Sequence, residues 1–400
     1  MSLRIEFVER VEKGEKVAAL CREYGVTRTT GHKWLKRYKE AGYGGLEEES
    51  RRPKTTPLAT AEEVVMAVLE EREAHPRWGP WKLERLLRRR LGDQTPSERT
   101  IARILRRAHK VRERRRRRPL SVIDKAPKVQ AEMPNDVWSV DFKGWWKALD
   151  GMRCEPLTIR DGASRYVLSI VITAPREAAV RQVFEQLFRR HGLPKAIQCD
   201  NGAPFIAVHA RCGLSRLSAW WVSLGIRVIR SRPGCPQDNG AHERMHADMA
   251  GDLQVRPAAN TAAQQRALDR WRQEFNHVRP HQALGGKTPA EVYKVTEKRR
   301  PKPYAYPRHH LVRKALPSGK LCFGGESYLL GAPFAGLRIG IEAVDSMHVR
   351  AWLHDLDLGL IETLPEVAPA YFEPHASRAR RTRKGGPDAH APSTDAPALL

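Results

Sequence analysis

The stretch Val137-Trp138-Ser139-Val140-Asp141-Phe142 decides how this chain is read. Its β-branched and aromatic residues suit a strand in an apolar setting. A charge placed there is costly unless it is paired or binds a metal. Leu157-Thr158-Ile159 and Arg165 to Ile172 read as further strands. Ala178 to Arg190 sets Val180, Val183, Phe184 and Leu187 at helical spacing, and Ala196-Ile197-Gln198-Cys199-Asp200 is a short strand closed by Asn201-Gly202. Strands in a meander, then strands alternating with helices, predict an α/β core with a mixed sheet.

Two more acids stand where local structure would hold them: Asp200 at a strand end, and Glu243 just inside a helix opened by Asp238-Asn239-Gly240. Carboxylate oxygens suit hard octahedral ions such as Mg2+ or Mn2+. Two such ions about 4 Å apart activate an attacking oxygen and stabilise a leaving one. Taken singly, each acid has an ordinary explanation, since an Asp at a strand end caps a turn and a Glu in a first helical turn complements the helix dipole. Asp136, Asp161, Asp238 and Asp252 read as loop residues or caps.

Four ordered blocks carry a resemblance: Val137 to Phe142; Gln198-Cys-Asp200-Asn-Gly; Ser231-Arg-Pro-Gly-Cys-Pro-Gln-Asp-Asn-Gly-Ala-His-Glu243-Arg-Met-His246; and Phe275-Asn-His-Val-Arg-Pro-His-Gln-Ala-Leu-Gly-Gly-Lys-Thr-Pro-Ala-Glu-Val-Tyr293. Together they resemble the core of integrase-like DDE transposases encoded by bacterial insertion sequences. The resemblance implies a ribonuclease-H-like fold with Asp141, Asp200 and Glu243 as catalytic triad and as ligands of two Mg2+ (or Mn2+) ions. It also implies phosphodiester cleavage followed by strand transfer, DNA partners in the form of element ends and target DNA, a homo-oligomer assembled on DNA, and end binding by the N-terminal region. A DNA-binding regulator, an inactive relic, or a nuclease that cuts without joining are the alternatives.

Two departures from the family pattern stand out. Asp200 and Glu243 are separated by 42 residues, where the family has about 35; Ile206 to Leu217 reads as an insertion that a surface loop absorbs. A basic residue often follows the Glu by seven positions, but Ala250 stands here. His246, on the same helical face as Glu243, is either a substitute DNA contact or a satisfied surface histidine. Arg230 to Gly240, rich in Gly and Pro, reads as a loop that admits a DNA end. Asn276, Arg279 and His281 are either phosphate contacts or parts of a capped helix and turn.

Upstream, residues 1–48 read as a helix-turn-helix domain. Val17, Ala18, Leu20 and Cys21 form an apolar stripe, Tyr24-Gly25-Val26 turns, and Thr27 caps a helix bearing Trp34 and Leu35. Its exposed face offers Arg28, Lys33, Lys36 and Arg37 to a major groove, or to water. After a linker from Ser50 to Thr60, residues 60–110 form a second helical DNA-binding domain. There Thr95 is the expected N-cap, followed by Pro96 and a capping-box Glu98. Ile101, Ile104, Leu105 and Ala108 make one face, and Arg99, Arg103 and Arg106 line the other. Residues 111–130 are a basic linker whose Arg114, Arg115, Arg116 and Arg117 lie along phosphates or in solvent.

The catalytic core is expected over residues 131–298, a small antiparallel β-barrel over 305–365, and a disordered tail over 366–400. The fold class is multidomain α+β. A net charge of +25 attracts polyanions. No apolar run reaches the about 20 residues of a membrane span, which predicts a cytoplasmic protein with no membrane partner. Six scattered cysteines without a C-x-x-C pair predict neither a disulfide framework nor a cysteine zinc site.

Overall fold

The computed structural model describes residues 3–48, 59–111, 131–232, 239–293 and 300–363. The chain divides into two compact units between Glu62 and Glu63. The first consists of α1 (Leu3–Glu12), α2 (Val17–Glu23) and α3 (Arg28–Ala41), closed by a 3-10 turn at Gly42–Leu46. Thr27 caps α3 as expected, its side chain accepting from Thr30 N at 3.2 Å. Phe7, Val8, Leu20, Cys21 and Leu46 form the core. Gly31 lets α3 approach closely, because a Cβ there would stand 2.6 Å from Cys21 Sγ and 2.9 Å from Phe7 Cζ.

The second unit opens with α4 (Glu62–Ala74), α5 (Pro80–Leu91) and α6 (Glu98–Arg107). The N-cap of α6 is Ser97 and not Thr95: its side chain accepts from Thr100 N at 3.3 Å, while Thr95 bonds back to Gly92 O. Pro96 therefore lies outside the helix, where its fixed φ suits the extended approach.

The central sheet is built from β1 (Val137–Phe142), β4 (Pro156–Asp161), β5 (Val167–Ile172), β6 (Ala196–Cys199) and β7 (Arg227–Arg230), with β2 (Trp146–Lys147) and β3 (Arg153–Cys154) forming a separate two-stranded ribbon. Its strand order is β5-β4-β1-β6-β7; β4 pairs antiparallel with β1 and β5, whereas β6 runs parallel to β1 and β7. This is the mixed sheet expected from the alternation of strands and helices.

Helices cover both faces. Trp138, Val140, Leu157 and Ile159 pack with Val180, Phe184 and Leu187 of α7 (Glu177–His191) and Leu217 and Trp221 of α8 (Arg216–Ser223). Val167 and Ile170 pack on the opposite face with Met245 and Met249 of α9 (Gly240–Met249) and Leu268, Trp271 and Phe275 of α10 (Thr261–His277). Because side chains alternate along a strand, Trp138 and Val140 point to α7 and α8, which sends Ser139 and Asp141 towards α9. After α10 comes the short α11 (Pro289–Val292), capped by Thr288.

The C-terminal segment corrects the expected barrel. β8 (Leu311–Lys314), β11 (Arg338–Ala343), β12 (His348–Leu353) and β13 (Leu356–Glu362) form an open sheet of order β13-β12-β11-β8, and β9 (Lys320–Phe323) pairs with β10 (Glu326–Leu329) in a separate hairpin. The sheet's apolar face, Ile339, Ile341, Val349, Ala351 and Leu353, shares a core with Leu214, Ala219 and Val222 of the central unit. Covered in this way, it can bury its apolar side chains without closing on itself.

The expected insertion, Ile206 to Leu217, is likewise not a free surface loop. Arg211 Nη1 donates to the carbonyls of Leu358 and Leu360, both at 3.0 Å, and Cys212 Sγ lies 3.3 Å from Asp357 O, so the segment clasps β13. The expected tail and most of the basic linker lie outside the described residues. Among the described residues no helix is long and apolar enough to cross a membrane.

Candidate active site

The register of the sheet brings the acids together. β1 pairs with β6 through Val137↔Ala196, Trp138↔Ile197 and Ser139↔Gln198. Continued by two residues, the same pairing sets Asp141 against Asp200, one residue beyond β6. Neighbouring strands lie about 4.8 Å apart, so the two acids start from adjacent backbones, and the Asp200 carboxylate also accepts from Gly202 N at 3.2 Å, in the turn after β6. Glu243 lies in the first turn of α9. Asp141 is half-buried, while Asp200 and Glu243 are exposed.

The Asp141 carboxyl is pushed up to about 7, first by burial, then by the negative charges of Asp200 and Glu243. One of its oxygens also faces Asn239, whose Nδ2 lies 3.5 Å from Oδ2. Of the acids expected in loops or caps, Asp136 is one, whereas Asp161 is buried at the end of β4 and Asp252 lies in the helical turn Ala250–Gln254. Asp136 accepts from Met133 N at 2.8 Å and pairs with Lys195 at 2.7 Å; Asp161 accepts from Asn135 N and Ser164 N; Asp252 accepts from Trp271 Nε1 at 2.9 Å. Asp238 lies outside the described residues.

Beneath Asp141 is a buried polar network that sequence reading missed. Thr158 stands opposite Asp141 in the β1–β4 pairing, and its hydroxyl donates to Asp141 O at 2.9 Å. The same hydroxyl contacts His242 Nε2 at 2.6 Å and His246 Nε2 at 2.7 Å, and His242 Nδ1 lies 3.0 Å from Ser139 Oγ. Arg160, also on β4, donates to Ala241 O at 2.8 Å. Burial drives both imidazoles towards the neutral form, His242 well below its ordinary value and His246 to about 3.

The expected DNA contact at His246 is therefore corrected. The ring is buried against β4 with Nε2 engaged, and its Nδ1 faces the Asp141 carboxyl at 3.8 Å, where a phosphate would meet like charge. The i, i+4 spacing of His242 and His246, next to Met245 and Met249, was the available signal for a buried helix face.

The other named residues separate into surface and scaffold. Arg28, Lys33 and Lys36 are exposed on α3 and Arg37 is half-buried; Arg99, Arg103 and Arg106 are exposed on α6. Arg114, Arg115, Arg116 and Arg117 lie outside the described residues. Asn276, Arg279 and His281 are scaffold. Asn276 accepts from Val167 N at 2.8 Å and donates to Val167 O at 2.9 Å, Arg279 pairs with Asp248, and His281 is half-buried against Phe275. Also unforeseen are three polar contacts that tie the α4–α5 segment to the core: His75 Nδ1 lies 3.2 Å from Glu274, and ion pairs join Arg77 to Asp252 at 3.2 Å and Arg89 to Glu291 at 3.3 Å.

Comparison with known families bears on this arrangement. Residues 131–236 and 224–289 match models described as "Integrase core domain", and residues 3–54 and 30–105 match a helix-turn-helix and a homeodomain-like model. Residues 131–289 are thus similar to an integrase core. Two relatives of the chain are insertion-element proteins described as uncharacterized. One, from IS476 of Xanthomonas euvesicatoria, is 27% identical, with 70% of this chain and 78% of the relative covered. The other, from IS407 of Burkholderia multivorans, is 29% identical over 48% of this chain and 67% of its own length. Among solved structures, the HTLV-2 integrase catalytic core in complex with magnesium aligns at 18% identity and a TM-score of 0.30, covering 40% of this chain and 98% of that one.

Proposed function

We propose that this chain is a DNA transposase: it binds element ends, cleaves a phosphodiester there and joins the freed 3'-hydroxyl to target DNA, with Asp141, Asp200 and Glu243 as its catalytic carboxylates. The observation that carries the reading is that Asp141 lies close enough to Asp200 and Glu243 for both charges, added to burial as the larger cause, to push its carboxyl up to about 7. Such a concentration of negative charge is stabilised by cations, and an all-oxygen donor set fits two Mg2+ or Mn2+ ions. When bound, such ions lower the pKa of an attacking oxygen and stabilise the leaving one.

The chain's own contribution is positioning. β1 and the end of β6 hold two carboxylates on adjacent backbones, so little reorganisation is needed on binding. Asn239 faces one Asp141 oxygen. Exposed basic residues of α3 and α6 are suited to DNA phosphates and base edges. No protein nucleophile is needed, and the thiol next to Asp200 in the chain is unsuited to the role: Cys199 is buried and its thiol is pushed up to about 12. Joining two element ends would require more than one copy of the chain on DNA.

Incubation of the protein with labelled element ends, target DNA and Mg2+ tests the proposal. Cleaved and joined products, both lost on chelation, are expected. Cleavage without joining would mark a nuclease, and binding without either would mark a regulator.

A further inference from the structure

Hydrogen-bond accounting around Thr158 determines which nitrogen of each buried histidine carries its proton. A threonine hydroxyl has one hydrogen and two acceptor lone pairs. Thr158 Oγ1 has three partners: Asp141 O at 2.9 Å, His242 Nε2 at 2.6 Å and His246 Nε2 at 2.7 Å. A carbonyl only accepts, so the single hydrogen goes to Asp141 O and both rings must donate from Nε2. The neutral His242 is then satisfied on its other side, its Nδ1 accepting from the Ser139 hydroxyl at 3.0 Å.

His246 is different. Its Nδ1 carries a lone pair and faces Asp141 Oδ2 at 3.8 Å, an oxygen that can only accept when the carboxylate is ionised. With Asp141 ionised, as a bound cation would make it, two electron-rich atoms confront each other across a gap that no hydrogen bond spans. Ligands held about 2.1 Å from one ion lie roughly 3.0 to 3.6 Å apart for angles near 90 to 120 degrees, so a small ring rotation would suffice. The remaining Nε2–H also has the partner that a metal-bound imidazole needs: it donates to a fixed oxygen, which sets the tautomer and aims Nδ1.

We infer that His246 is a further metal ligand at the Asp141 end of the carboxylate cluster, binding through Nδ1. The inference rests on the metal-dependent function proposed above and adds a nitrogen to an otherwise all-oxygen set. Its chemical consequence is selectivity. Imidazole adds more affinity for Mn2+ than for Mg2+, which prefers oxygen and water. His246 lies one helical turn beyond Glu243, so α9 would supply ligands from two adjacent turns.

The test uses the full-length protein with Mn2+ as the probe. Pulsed electron paramagnetic resonance on wild type should show coupling of bound Mn2+ to a directly coordinated imidazole nitrogen, absent in His246→Ala and in Asp141→Asn. Calorimetry should show Mn2+ affinity falling by about 10-fold or more in His246→Ala, with Mg2+ affinity changing less than about threefold. A merely structural histidine would lower both affinities together. Mn2+ binding that depends on Asp141 but shows no nitrogen coupling would overturn the inference and leave the carboxylate site standing. Mn2+ binding unaffected by Asp141→Asn would instead overturn the functional reading beneath it. The wild-type spectrum requires no variant to fold.

Discussion

Asp141 and Asp200 occupy matched positions at the ends of two hydrogen-bonded parallel strands, their backbones in a register set by Ser139↔Gln198 two residues earlier. The pairing sets the two acids on adjacent backbones, near enough to each other and to Glu243 that both charges act on Asp141. The rise of the Asp141 carboxyl to about 7 follows from that placement together with burial.

Stability without metal should therefore depend on pH in a definite direction. The Asp141 carboxyl is raised from 3.8 to about 7, so its protonated form favours the folded state. That contribution is whole below the unfolded value and is lost as pH rises through the folded one. Chelated wild type should lose stability between about pH 4 and pH 7, and Asp141→Asn should melt roughly 2–5 °C higher than wild type near pH 8. Thermal melts across that range check this, and an identical pH slope in the two proteins would contradict it.

The exposed arginines of α6 should govern DNA affinity in a salt-dependent way. Arg99→Ala, Arg103→Ala and Arg106→Ala combined should weaken binding and flatten the slope of log K against log salt by about 0.9 for each phosphate they no longer neutralise. Titrations at several salt concentrations measure it. An unchanged slope would show that these side chains remain in solvent when DNA binds.

Asn276 should behave as scaffold. It bonds both main-chain groups of Val167, so Asn276→Ala leaves a buried donor and acceptor unmet and should cost about 1–3 kcal/mol. The salt slope of DNA binding should not change. A flattened slope with unaltered stability would restore the phosphate-binding reading.

What the sequence disclosed and what it concealed follow from the range of the forces involved. β1, β6 and α7 were legible because periodicity is local, and the places of three acids in those elements because Asp141 interrupts an apolar strand while Asp200 and Glu243 stand beside turn signals. The Ser97 cap was misplaced by two residues, since Thr95 and Ser97 are both capable caps and only the helix start decides between them. The Thr158–His242–His246 network was invisible because it joins residues more than eighty positions apart. The open C-terminal sheet was read as a barrel for the same reason: strand alternation shows that one face is buried, without showing that α8 covers it.

The central claim is that Asp141, Asp200 and Glu243 perform the chemistry while other parts of the chain hold the DNA. It is tested most directly by measuring cleavage, joining and end binding side by side for wild type, Asp141→Asn, Asp200→Asn and Glu243→Gln, with labelled ends and Mg2+. Each substitution should reduce both reactions by several orders of magnitude and leave end binding within about threefold of wild type, because the basic faces of α3 and α6 are untouched. Turnover near the wild-type rate in any one of the three variants would contradict the account.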